Sequence, residues 1–133
     1  MTYLRKAFRV AVVLWAGSLW SVSWVTWILF HAQADRHLAG VLAGPLFTIE
    51  TYVGVGVAVA ALLLPGRARF VWGYVAAAVL AANEWALRPL MVAARAHGAA
   101  AGLTFGAWHG VSAVLYIVAC LCVLLLVWNE DFR

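Results

Sequence analysis

The chain has 133 residues, of which 67% are hydrophobic and 11% charged, and it contains eight tryptophans. A soluble domain averages about 45–50% apolar and about 25% charged, so neither a water-soluble fold nor a disordered chain fits. The formal net charge of +4 comes from basic residues scattered between apolar runs, with no basic stripe to follow a phosphate backbone, which excludes a nucleic-acid partner.

Charge spacing predicts four spanning helices, since a span needs about 20 apolar residues. Residues 10–34, between Arg9 and Asp35, carry no Asp, Glu, Lys or Arg, which predicts a first helix over about 8–30. Arg5, Lys6 and Arg9 before it and Ala32-Gln33-Ala34 after it resemble a signal peptide. The apolar run is too long and too rich in tryptophan for one, so an uncleaved helix is expected. Residues 38–64 are apolar except for Glu50 and end at Pro65-Gly66; residues 70–92 are apolar except for Glu84 and Arg88. Residues 96–129 are uncharged and hold a helix over about 104–128. The expected fold is therefore all-α: one integral membrane four-helix bundle over 1–133, with short connections at about 31–37, 65–69 and 96–103.

Basic residues favour the cytoplasmic side. With the N-terminus inside, Arg5, Lys6, Arg9, Arg67, Arg69 and Arg133 are inside, and Arg36, Arg88 and Arg95 are outside. An N-in/C-in topology is expected. At about 1.5 Å per residue, Glu50 then lies about 18 Å into the second span, near the midplane. Glu84 and Arg88 fall in the outer half, His109 lies about 8 Å below the outer surface, and His31, His37 and His97 lie in or beside the outer connections.

Ionisable groups in a span are costly and usually find partners in the bundle interior. Glu84 and Arg88 stand in the favourable i, i+4 order and read either as a structural staple or as part of a site. Asn83 reads first as an interhelical hydrogen-bonding residue. Glu50 has no partner on its own helix; Arg88, His109, Ser18 and Ser21 are its candidates across the bundle. A carboxyl there with no cation beside it is placed to take up and release protons. His109 shares a helix face with Ser112, Ala113 and Tyr116. Gly102, Gly106 and Gly110 repeat every four residues, and Gly40 and Gly44 form a second such pair before Pro45, so close helix crossings are expected at both. Trp20, Trp24 and Trp27 form one stripe, read as packing and membrane anchoring. Cys120 and Cys122, two apart on a helix, cannot bond to each other and read as apolar filler.

Three stretches, Asp35-Arg36-His37-Leu38-Ala39-Gly40 continuing to Leu46-Phe47, Asn83-Glu84-Trp85-Ala86-Leu87-Arg88-Pro89-Leu90-Met91 and Phe105-Gly106-Ala107-Trp108-His109-Gly110-Val111-Ser112, resemble the transmembrane protein 205-like family. The resemblance covers almost the whole chain and is most specific in the third stretch. It implies a four-helix membrane protein whose signature residues are Arg36, Gly40, Phe47, Asn83, Pro89, His109, Gly110 and Ser112. Glu50 and Glu84 match its bacterial members, which places the chain in the bacterial inner (cytoplasmic) membrane. The resemblance supplies no reaction.

Three functional classes follow. The first is a non-enzymatic protein that binds or passes a small solute or a metal ion from the outer side, through Glu50, Glu84, Arg88, His109, Asn83 and Ser112. A soft metal would lean on His109, His37 and His31, and a homo-oligomer is expected because four helices are few for a transporter. The second is a redox protein binding haem b or a quinone, with His31 and His109 as axial ligands. The third is a structural or accessory subunit of a larger membrane complex. No nucleophile–base spacing or phosphate loop points to an enzyme.

Overall fold

The charge-free runs fold as continuous helices. A computed structural model describes residues 2–129; Arg133 and the side chain of Arg67, both counted on the inner side above, lie outside what is described. Four helices are long and apolar enough to cross a membrane: α1 (Thr2–Ala32), α2 (Arg36–Leu62), α3 (Ala68–His97) and α4 (Phe105–Trp128). Each packs on its sequence neighbours, and α4 returns between α3 and α1. The result is an all-α, antiparallel four-helix membrane bundle with residues 2 and 129 at one end.

The connections are shorter than the charge pattern suggests because the helix ends are capped. The Asp35 side chain accepts the backbone N–H groups of His37 (2.8 Å) and Leu38 (3.3 Å) and starts α2, satisfying donors that an uncapped helix leaves open. Thr104 starts α4 by accepting from the Ala107 N–H at 3.3 Å. Between α3 and α4 a small hairpin pairs Ala99–Ala100 (β1) with Leu103–Thr104 (β2). Its two-residue turn, Ala101-Gly102, has φ of +49° and +78°, the left-handed pair that a tight hairpin requires. Gly102 is therefore a turn residue and not the first member of a helical glycine stripe. Trp108 Nε1 donates to Ala100 O at 2.8 Å and holds the hairpin onto α4.

The glycines that carry close packing are not those of the two repeats. A Cβ on Gly54 would stand 2.8 Å from Trp15 Cζ2, so α1 and α2 meet there. Gly73 lies under the Phe70 ring. Gly110 has open space around it, and Gly40 and Gly106 meet side chains only at 4.0 Å. Gly106 and Gly110 are exposed, because the inner face of α4 is filled by Tyr116, Ala119, Cys120, Val123 and Leu126.

Packing is uneven along the bundle axis. The largest fully buried side chains are Trp15, Leu19, Leu80, Val12, Val123 and Cys120; Leu19 lies just past the middle of α1, and the others belong to the half of the bundle nearer the chain ends. Cys120 and Cys122 are both buried and unbonded; α4 is covered on two sides, by α1 and by α3, so even residues two apart are enclosed. Toward the hairpin end the buried set shrinks to alanines, Ala39, Ala43 and Ala94, while Trp24 and Trp27 face outward and pack edge-to-face at 6.2 Å.

Candidate functional site

Pro89 shapes the hairpin half of α3. Proline has no N–H and its ring crowds the carbonyl one turn back, so a regular helix cannot run through it undisturbed. The chain widens instead: Asn83–Leu87 form a π turn between regular helix over Val71–Ala82 and over Arg88–His97. The Arg88 N–H donates to Asn83 O, five residues back. Such turns hold one extra residue within a helix and recur at functional sites. Asn83, Glu84 and Arg88 all lie in or beside it.

Glu84, Arg88 and Thr48 of α2 form a closed triangle. Arg88 Nη1 donates to Glu84 Oε1 and, at 2.7 Å, to Thr48 Oγ1. Thr48 Oγ1 donates to Glu84 Oε1 at 2.9 Å and also lies 3.3 Å from Gly44 O. The triangle is lopsided in exposure: the Glu84 side chain is 12% exposed and that of Arg88 46%. The pair does not close over itself. It lines one end of an open groove of about 580 Å³ whose walls are Pro89, Val92, Ala93 and Ala96, with His97 at the far end.

Glu50 belongs to a different place. Two residues from Thr48, it points to the other side of α2, toward α1, and is 4% exposed. Ser18 Oγ donates to Glu50 Oε2 at 3.1 Å. Arg88 and His109 do not reach Glu50, and Ser21 donates to Gly17 O on its own helix. Thr51, next to Glu50, turns to α3, with Oγ1 3.0 Å from Phe47 O and 3.5 Å from Leu80 O. Below this acid the core contains further polar contacts. Tyr116 OH donates to Leu19 O at 3.1 Å, and Ser23 Oγ lies 3.8 Å from Cys120 Sγ.

Asn83 and Ser112 join α3 to α4: Asn83 Nδ2 donates to the Ser112 carbonyl at 3.1 Å, while Asn83 Oδ1 is buried without a partner among the described residues. Ser112 thus contributes its backbone here, and its hydroxyl does not pair with His109. His109 is exposed and stacks on Phe105, centroids 5.9 Å apart, while Arg95 sits 4.2 Å over the same ring. His31 keeps Nδ1 2.8 Å from Trp27 O and packs on that indole at 4.3 Å. His37 is exposed and contributes its backbone N–H to the α2 cap. Among the described residues no group of three His, Cys, Asp or Glu side chains converges as a metal centre.

The outer cluster expected from the sequence thus divides into three: Glu84–Arg88 with Thr48, Glu50 with Ser18, and Asn83 with the Ser112 carbonyl, while His109 stands apart on the surface. Depth along the axis groups these residues, but helix azimuth separates them. Thr48 escaped the sequence reading, and His97 was placed at an outer connection but not among the site residues. A hydroxyl residue one turn from a glycine carries no visible signal, and the π turn before Pro89 was not foreseen either, although a proline inside a span is a signal that could have found it.

No curated protein and no solved structure matches the chain. A family profile does match over residues 10–100, a segment that includes the Glu50, Glu84 and Arg88 positions and stops before α4. On that match the chain, a multi-pass membrane protein, belongs to the family defined by the domain of unknown function DUF4149.

Proposed function

We propose that this protein is a non-enzymatic component of the bacterial inner membrane, one four-helix domain with both termini in the cytoplasm, that binds or passes a small solute through the outer half of the bundle. The transmembrane protein 205-like resemblance of the three motif stretches supports the four-helix membrane part of this reading only. The observation that carries it is the open Glu84–Arg88 triangle. The pair lies within α3 and reaches another helix only through Thr48, so it is a poor staple, and a half-exposed guanidinium keeps donors open to a ligand. Here the acid is sheltered and the guanidinium faces a groove.

In this reading Arg88 and Glu84 contact the solute, and Thr48 fixes the guanidinium. Asn83 and the Ser112 carbonyl hold α3 against α4 so that the π turn keeps its shape. Glu50 is a second, deeper station on the inner side of α2, and His109 flanks the rim. A homo-oligomer or a larger membrane complex agrees with the uncovered Gly106 and Gly110 face of α4.

The test is thermal unfolding of the purified chain in mild detergent, titrated with a panel of short-chain organic anions and cations. At least one compound raises the midpoint of the native chain and leaves Arg88→Gln unmoved. Equal shifts in both, or no shift with any compound, contradict the reading.

A further inference from the structure

The Arg88 groove has a chemistry and a depth that together specify an occupant. Among the described residues both Arg88 hydrogen bonds leave from Nη1. Nη2 packs over Gly44, 3.9 Å from where a Cβ there would stand, and has no hydrogen-bond partner among the described residues. A guanidinium carries five donors in a planar fork and does not give up its charge. In a hydrocarbon setting its remaining donors need acceptors, and a phosphate group supplies several at once. Glu84 also lines the groove but is 12% exposed against 46% for Arg88, so the cation is the more accessible of the two.

Depth narrows the acceptor. α3 has 30 residues, about 45 Å of helix against a hydrocarbon core of about 30 Å. With the helix centred, the Arg88 backbone is about 7 Å below the headgroup boundary, within reach of an arginine side chain directed upward. Val92 and Ala93 then lie at the boundary and His97 in the headgroup layer. Headgroup phosphates occupy the interval between Arg88 and His97. Below them Trp85, on the same stripe of α3 as Pro89 and Val92, pairs edge-to-face with Tyr52 of α2 at 6.3 Å, and both rings are exposed. An acyl chain descending from the groove would lie on this aromatic shelf.

We propose that the groove seats an anionic phospholipid of the leaflet on the His97 side, its phosphate between Arg88 and His97 and its chain over Trp85 and Tyr52. The inference rests on the groove being the ligand site, and it identifies the ligand as lipid.

The test is native mass spectrometry of the full chain released from detergent carrying phosphatidylglycerol or phosphatidylcholine, with inorganic phosphate as competitor. The native chain retains phosphatidylglycerol about tenfold better than Arg88→Gln does, the scale of one charge-assisted contact, and phosphatidylcholine shows no such dependence. Ala93→Trp, which fills the groove without touching the triangle, loses phosphatidylglycerol as well. Equal retention in native and Arg88→Gln chains overturns the proposal, as does displacement of the lipid by millimolar phosphate, which would mark a site for a free anion. If lipid retention fails while a compound of the solute panel still depends on Arg88, the lipid assignment falls and the ligand site stands. If both fail, the site itself falls.

Discussion

At the scale of single residues, the Glu84–Arg88 pair illustrates how unequal exposure makes two halves of an ion pair unequal in consequence. Removing the guanidinium leaves a sheltered carboxylate with Thr48 as its remaining donor. Removing the carboxylate leaves a half-exposed cation that can turn to water or headgroups. Losing one partner of a fully buried pair costs about 3–5 kcal/mol, and the exposed side here reduces that. Arg88→Gln is expected to lower stability by about 1–2 kcal/mol and Glu84→Gln by less than half as much. SDS-induced unfolding followed by tryptophan fluorescence measures both, and equal costs would contradict the asymmetry. Glu50 depends on a single named donor: Ser18→Ala is expected to cost about 1 kcal/mol, and the double variant Ser18→Ala/Glu50→Leu less than the sum of the two single changes.

At the scale of helices, the π turn is an inserted residue absorbed locally. Deleting Ala86 from Asn83–Leu87 should let α3 continue as regular α-helix with both flanking faces unchanged. The protein still folds, and Arg88-dependent ligand binding is lost because Glu84 and Arg88 become i, i+3. Loss of folding on that deletion would show the wide turn to be structural. Glycine positions give a paired expectation. Gly54→Ala forces a methyl against Trp15 and destabilises by about 1–3 kcal/mol. Gly110→Ala meets open space and stabilises by about 0.5–1 kcal/mol through helix propensity. Equal effects of the two substitutions on SDS unfolding would contradict this account of the helix contacts. The same contrast shows what the sequence could reveal. The four spans were legible because charge is excluded from hydrocarbon, and the run from Arg9 to Asp35 needs no tertiary information. The close-packing glycines were not, because Gly54 sits in no repeat and matters only through a tryptophan 39 positions earlier on another helix. The polar site was half legible: rise along the axis groups Glu84, Arg88, Asn83 and His109, but the rotation that turns Thr48 toward Arg88 and Glu50 toward Ser18 depends on how α2 is set against its neighbours.

At the scale of the molecule, the bundle is dense where the chain ends lie and open where α3 and α4 are joined. Large side chains such as Trp15 and Leu80 fill the first half. In the second, alanines, a polar triangle and a groove replace them. A loosely packed end with an unsealed cation is a poor way to stabilise a four-helix bundle and a good way to admit a ligand from one side. The proposed N-in topology places that end outside the cytoplasm. The most direct check is thiol labelling in intact cells. Cys120 and Cys122 are replaced by alanine and a single cysteine is introduced at Ala96, in the groove wall. A membrane-impermeant maleimide added from outside should label Ala96→Cys without permeabilisation, and an anionic phospholipid-like detergent should slow the labelling in the native background and not in Arg88→Gln. Labelling that appears only after the membrane is opened would place the groove on the cytoplasmic side and contradict the account.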